Sequence, residues 1–355
     1  MSPPNDSIIV IGCGVTGLSV ATLLQSEYPS ATITIIAAEI PSGQSPSADY
    51  ASMWAGAHYR PTPGSTSQLK QELDMGVRTA ERMKRIAKDY PEAGVAFMTS
   101  VEYLEDPPTE FSSIKTGDVY AGPEDNFRVL DQIELPAGVK WGCEYRCYCV
   151  NVSVYLKWLL DRFISKGGQL IQHRLSNARQ AFDYAEESGL GKVSTVVNCS
   201  GRNFDQDGKT KIIRGQTVLV KQQYHKTVTR QNGDGSWVFL IPRPRGGGTI
   251  VGGTKEIGDP EERPRPETRE KLLRNAVDFF PDFVDSVDKF DVLKDNVGRR
   301  PWRDGGYRFQ AESVGPDKRI FHGYGAGGRG YELSWAAAER IVALVRESIP
   351  ANAKL

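Results

Sequence analysis

The chain lacks an excess of charge of either sign. Its 44 lysines and arginines are matched by 44 aspartates and glutamates across 355 residues, for a formal net charge of zero. A general nucleic-acid binder needs a basic surplus, so that class is excluded. No apolar run approaches the roughly 20 residues of a spanning helix, so no membrane association is expected. Cysteine is limited to Cys13, Cys143, Cys147, Cys149 and Cys199. The number is odd and the first residues carry no basic start of a secretory signal, so free thiols in a reducing compartment are expected. Cys143, Cys147 and Cys149 cluster, but no histidine or fourth cysteine stands at ligand spacing. The cysteines therefore read as structural, and no metal site is expected. Glycine, in contrast, is abundant at 36 residues, which points to many tight turns and close backbone approaches.

Residues 7–11 form a short apolar run, the pattern of a strand buried on both faces. Gly12-Cys13-Gly14-Val15-Thr16-Gly17 follows, Leu18 to Leu24 has helical apolar spacing, and a second apolar run from Ala31 to Ala38 ends at Glu39. This strand–turn–helix–strand order opens a doubly wound α/β fold. Residues 40–64 are expected as a loop and 65–89 as a charged helix. Residues 95–150 are expected as short β stretches, among them Val95–Ser100 and Val101–Leu104, and Val152 to Ile164 as an amphipathic helix. Val193 to Cys199 repeats the buried-strand pattern, and residues 213–221, 236–242 and 248–254 resemble an antiparallel sheet bounded by turns. Pro266 to Phe280 and Ser334 to Arg346 read as helices. The expected fold class is α/β, a doubly wound, Rossmann-like cofactor domain with an inserted mixed or antiparallel-sheet substrate domain. The cofactor domain is expected from residues 1–60, 150–210 and 295–355, and the substrate domain from 61–149 and 211–294.

The glycine loop carries the first chemistry. A helix N-terminus offers unpaired N–H groups and a positive dipole end to a dinucleotide pyrophosphate. Gly12 permits the tight turn, Gly14 the close approach and Gly17 close helix–strand packing, while Glu39 is placed to accept from a ribose 2′-hydroxyl. The loop alone does not choose between FAD and NAD.

The C-terminal half makes that choice. Asn296-Val297-Gly298-Arg299-Arg300-Pro301 resembles the Asn-Val-Gly-Leu-Arg-Pro stretch of fungal D-amino-acid oxidases, and His322-Gly323-Tyr324-Gly325 with its trailing glycines is similar to the family's His-x-Tyr-Gly signature. Val196-Val197-Asn198, Arg214 to Val220, Trp54-Ala55-Gly56-Ala57 and Ile241-Pro242-Arg243-Pro244 resemble it too, and the motifs run in family order along nearly the whole chain.

The resemblance implies an FAD-dependent oxidase that passes the Cα hydrogen of a D-amino acid to flavin N5 as hydride, with molecular oxygen reoxidising the flavin to give hydrogen peroxide. The implied FAD contacts are Gly12, Gly14, Val15, Thr16, Gly17 and Glu39, then Ser52, Met53, Ala55 and Gly56, then Ser200, Gly201 and Arg300. Gly325, Gly327, Gly328, Arg329, Gly330 and Tyr331 complete them. Backbone N–H groups of that run would stabilise the reduced ring's negative charge. Arg300 is the implied catalytic residue, a planar fork for the substrate α-carboxylate.

The implied substrate contacts are Arg300, Lys255, Phe239, His58, Arg230 and Gly328. Phe239 stands where neutral-substrate members usually carry a tyrosine. Lys255 stands where D-aspartate oxidases of the family place an arginine after Gly-Gly-Thr. Lys255, His58, Arg60, Arg230 and Arg329 together favour an acidic substrate, D-aspartate or D-glutamate, whereas Glu332 argues for a basic one. A broad or neutral D-amino-acid oxidase and a glycine- or sarcosine-type amine oxidase are the alternatives. The C-terminal Ala353-Lys354-Leu355 resembles the peroxisomal Ser-Lys-Leu address, so a peroxisomal matrix location and a peroxisomal import receptor as partner are expected. Assembly into a homo-oligomer is left open.

Overall fold

The computed structural model describes residues 7–41, 46–118, 120–122, 125–202, 204 and 208–348. In chain order these form β1 (Ser7–Ile11), α1 (Val15–Glu27), β2 (Thr32–Ala37), β3 (Ala57–His58), α2 (Ser67–Asp89), β4 (Val95–Leu104), β5 (Arg128–Val129), β6 (Trp141–Val150), α3 (Val152–Ser165), β7 (Gln169–Gln172) and α4 (Gln180–Glu187). There follow β8 (Val193–Asn198), β9 (Thr210–Val220), β10 (Thr227–Gln231), β11 (Trp237–Pro242), β12 (Thr249–Gly252), β13 (Glu256–Ile257), α5 (Pro266–Phe279), β14 (Val292–Arg303), β15 (Arg308–Ser313), β16 (Arg319–Tyr324) and α6 (Gly330–Ser348).

The chain divides into two compact units. The first takes Met1–Met53, Leu156–Ile212 and Arg300–Leu355, the second Trp54–Tyr155 and Ile213–Arg299. Residues 54–60, expected with the cofactor domain, group instead with the second unit. The physical reason is pairing: β3 bonds to β6 through Ala57↔Val150 and His58↔Cys149.

The first unit is built on a six-stranded sheet in the order β15-β16-β8-β1-β2-β7. All neighbours are parallel except the β15–β16 edge pair. β1 is buried at every residue, which is why Ile8 to Ile11 are continuously apolar rather than alternating, and its one polar side chain, Ser7, donates to the Leu190 carbonyl at 3.0 Å. α1 packs against α6, and α4 against β8.

The second unit is a large sheet in the order β13-β9-β12-β11-β10-β4-β6-β3, with β14 pairing β9 and β5 pairing β6. β10 runs parallel to β4, and the other registered neighbours are antiparallel. Val95–Ser100 and Val101–Leu104 form one ten-residue strand, β4, because β6 backs it throughout from Val95↔Val150 to Leu104↔Trp141. The side-chain alternation of these strands makes two different faces. On one, Val218, Val228, Val238, Leu240 and Val251 pack with Leu272, Leu273 and Ala276 of α5. On the other, Cys149, Ile241 and Ile250 pack with Met98, Leu219 and Phe239.

Candidate active site

In the first unit the glycine loop connects β1 to α1, and its glycines are required by backbone, not by flexibility. Gly12 has φ +102, and a Cβ there would stand 2.6 Å from the Cys199 carbonyl oxygen at the end of β8. A Cβ on Gly17 would overlap the Gly12 carbonyl outright. Gly14 is the N-cap of α1, with no side chain to cap it, and a Cβ there would meet Ser52 Oγ at 2.9 Å. Val15 N–H, the first of the helix, donates to that same Ser52 Oγ at 3.1 Å. Two residues beyond β2, Glu39 accepts from Ser47 N–H at 2.7 Å and Ser47 Oγ at 2.6 Å, one bond on each carboxylate oxygen. A carboxylate has roughly four acceptor positions, so Glu39 is oriented by Ser47 and keeps lone pairs for a ribose.

The C-terminal glycine run meets this loop. A Cβ on Gly330 would lie 3.6 Å from Val15 Cγ1, and one on Gly328 would lie 3.5 Å from Arg300 Cδ. Tyr331 Oη donates to the Ser52 carbonyl at 2.8 Å. Gly325 and Gly327 have φ of +91 and +57, and Gly327 N–H donates to the Pro301 carbonyl at 2.9 Å. The run is thereby folded back against the Arg300–Pro301 strand end. Thr16 Oγ1 lies 2.5 Å from Tyr307 Oη. After β8, Ser200 N–H is held by Asn198 Oδ1 at 3.1 Å, and Gly201 has φ +73. Ser200 Oγ is buried and has no hydrogen-bond partner among the described residues.

These observations fit a dinucleotide: a side-chain-free helix N-terminus, an acid after the second strand, and a buried hydroxyl awaiting a partner. Gly12, Gly14, Val15, Thr16, Gly17, Ser52 and Ser200 would hold the pyrophosphate side and Glu39 the ribose. Gly327, Gly328 and Gly330 would hold the ring. Sequence reasoning missed Tyr50, whose Oη donates to the Cys13 carbonyl at 2.5 Å and clamps the loop from below. No spacing rule marks such a long-range tyrosine.

Arg329 is placed differently from expectation. Its guanidinium meets the Glu332 carboxylate at 2.7 Å, across the first turn of α6. The two opposite charges offset one another within this pair.

In the second unit, Ala55 and Gly56 run over the Ile241–Ile250 face. A Cβ on Gly56 would stand 3.1 Å from Ile250 Cγ2, and the Ala55 carbonyl accepts from Arg243 at 3.2 Å. The Phe239 ring occupies the room where Cβ atoms of Gly252 and Gly253 would lie, which explains that glycine pair. His58 is on this face through its register partner Cys149, and its Nδ1 lies 3.0 Å from Thr227 Oγ1. Lys255 is exposed. Its neighbour Glu256 is committed elsewhere, to Arg214 and to Arg265 at 3.0 Å.

Arg230 does not join this group. It alternates with Thr229 along β10 and so points to the α5 face. There it pairs with Glu105 at 2.5 Å, donates to the Ala137 carbonyl at 2.9 Å and stacks on Phe279. Its side chain is 8% exposed, so it is a structural ion pair and not a substrate contact. Arg299 is likewise tied to Glu262 at 2.7 Å.

All five thiols are free and buried. Burial raises Cys13 to about 12. Burial pushes Cys147 up as well, but hydrogen bonds from Cys149 and His58 and the His58 charge outweigh it and bring Cys147 down to about 6. Among the described residues no group of acids, histidines and cysteines is arranged to hold a metal ion, and no helix is long and apolar enough to cross a membrane.

Comparison with known proteins agrees with this geometry. Residues 7–344 match the family model described as FAD dependent oxidoreductase. A D-aspartate oxidase from Talaromyces thermophilus is 55% identical over 358 residues, 97% of this chain and 95% of the relative. A D-amino-acid oxidase from Fusarium vanettenii is 31% identical over 96% of this chain and 97% of its own length. The glycine oxidase of Geobacillus kaustophilus superposes with a TM-score of 0.72 at 18% identity, covering 97% of this chain and 95% of that one, a likeness of fold. The chain belongs to the FAD-dependent oxidoreductase family that contains the D-amino-acid oxidases, and FAD is its cofactor.

Proposed function

We propose that this chain oxidises acidic D-amino acids, D-aspartate before D-glutamate, to the 2-oxo acid and ammonia. When bound, FAD would supply the two-electron acceptor for the Cα hydride, with molecular oxygen as the final acceptor and hydrogen peroxide as the by-product. Arg300 holds the α-carboxylate through two parallel hydrogen bonds. No side-chain base is assigned, because the amine is already neutral when its Cα hydrogen leaves. Lys255 offers a cation to the side-chain carboxylate. The observation that carries the acidic preference is this lysine after Gly252-Gly253-Thr254, exposed while Glu256 beside it is bound by Arg214 and Arg265. The 55% identical D-aspartate oxidase supports the same reading.

A panel of D-aspartate, D-glutamate, D-alanine, D-valine, D-lysine and the L-forms, with peroxide as the readout, tests it. D-aspartate is expected to give the highest kcat/KM, and a D-alanine or D-valine optimum would return Lys255 to a solvated role. A peroxide producer also fits a peroxisomal address. Ala353-Lys354-Leu355 lies outside the described residues, and engagement of an import receptor is tested by whether deleting it disperses a punctate fluorescent fusion.

A further inference from the structure

Tyr307 lies outside the residues assigned to FAD or substrate, yet it reaches the glycine loop from the far end of the chain. It follows the turn between β14 and β15, which Gly306 N–H closes by donating to the Arg303 carbonyl at 3.0 Å. Alternation puts Tyr307 and Phe309 on one side of β15 and Arg308 on the other. Arg308 donates to Tyr324 Oη at 2.7 Å. The Tyr307 and Phe309 rings stack, with centroids 4.9 Å apart and planes within 18°, and the Arg340 guanidinium of α6 lies 4.4 Å over Phe309. The stack fixes the Tyr307 ring, and its Oη ends 2.5 Å from Thr16 Oγ1 in the first turn of α1. All these residues belong to the first unit.

Proton counting gives this contact a consequence. Each hydroxyl has one proton, and the pair spends one of the two between its oxygens, so the other is left to donate elsewhere. Burial pushes the Tyr307 phenol up, which keeps it a neutral O–H donor. Thr22 and Ser26, further along α1, spend their hydroxyl protons on the carbonyls of Leu18 and Thr22, four residues back. Thr16 is turned to Tyr307 instead. It is the second residue of the helix, among the N–H groups that no helix carbonyl satisfies. Of the two hydroxyls, Thr16 is the one carried by the helix end that an anion would approach.

We propose that Tyr307 is a positioning residue for the cofactor: its hydroxyl donates to Thr16 Oγ1 and so leaves the Thr16 proton for an oxygen of the FAD pyrophosphate. The pair adds one aimed side-chain donor to the backbone N–H groups of the loop. A phosphate charge polarises both O–H bonds in turn, so the outer hydroxyl strengthens the inner one.

Two substitutions and three ligands test this. Tyr307→Phe keeps the ring on Phe309 and removes only the hydroxyl, and Thr16→Val removes the other at nearly equal shape. Full-chain apoprotein is titrated calorimetrically with FAD, with ADP, which carries a pyrophosphate but no flavin, and with adenosine, which has neither. Its melting is followed alongside. Thr16→Val is expected to weaken FAD and ADP about tenfold, the loss of one hydrogen bond to a charged group. Tyr307→Phe is expected to weaken both about threefold, and to change nothing further in the Thr16→Val background, because Tyr307 acts through Thr16. Adenosine affinity is expected to stay the same throughout. A Tyr307→Phe protein that binds FAD as wild type does overturns the proposal, even if its melting temperature falls, since the pair is then only a tie between β15 and α1. An equal loss for adenosine also overturns it, as does an undiminished Tyr307→Phe effect in the Thr16→Val background.

Discussion

Replacing Gly14 by alanine separates cofactor binding from folding. The Gly14 backbone, at φ −80 and ψ −178, is extended and open to any residue, so the substitution brings no backbone strain. The new methyl stands 2.9 Å from Ser52 Oγ and displaces the oxygen that accepts from Val15 N–H. It also fills the approach that a phosphate needs to the N-terminus of α1. Crowding of one methyl costs about 1–3 kcal/mol, and at about 1.4 kcal/mol per decade this weakens FAD by about five- to 150-fold. Titrating apoprotein with FAD and following the quenching of flavin fluorescence gives Kd, and thermal melting of the same apoprotein reports the fold. Unchanged FAD affinity in a folded Gly14→Ala protein would refute the assignment of this loop to the pyrophosphate.

Arg300→Ala is expected to lose about a hundredfold or more in kcat/KM for D-aspartate, with Arg300→Lys recovering only part, since a point charge does not replace a fork. Steady-state peroxide assays read both. Arg230→Ala should leave the kinetics of the folded enzyme intact but destabilise it by about 2–3 kcal/mol, less than a fully buried pair because Glu105 is 24% exposed. The Gly233 N–H and then Arg230 lower the Glu105 carboxyl. The stability it contributes is therefore full above its unfolded value of about 4.3 and is lost as pH falls through the lower folded value. Acid unfolding of Arg230→Ala should accordingly show a shallower loss in that window. Lys255→Ala is expected to raise KM for D-aspartate about tenfold and to spare D-alanine, read from the same kinetics. Wild-type activity should rise towards mildly alkaline pH as the substrate amine becomes neutral, and a flat pH–rate profile would count against a neutral-amine mechanism.

The first fifty residues were legible because their chemistry is backbone chemistry. A buried strand, three glycines at fixed spacing and an acid after the next strand leave few other solutions, and β1, α1 and β2 follow them closely. Arg230 misled because a residue's face depends on the pleat of β10, and composition near a pocket says nothing about pleat. The Arg329–Glu332 pair was readable in principle, being three residues apart at the start of a helix, but the glycine run hid that the helix begins at Gly330. The pairing of His58 with Cys149 joins β3 to β6 across a long stretch of chain, and no local pattern reports it. Residues 54–60 moved between units for the same reason.

Anaerobic mixing of the purified FAD-loaded protein with substrate addresses the reaction itself. D-Aspartate is expected to bleach the yellow absorbance of the bound flavin, at lower concentration than D-alanine does, while L-aspartate leaves it unchanged. A protein that takes up no FAD, or a bound flavin that stays oxidised with every D-amino acid, would contradict it.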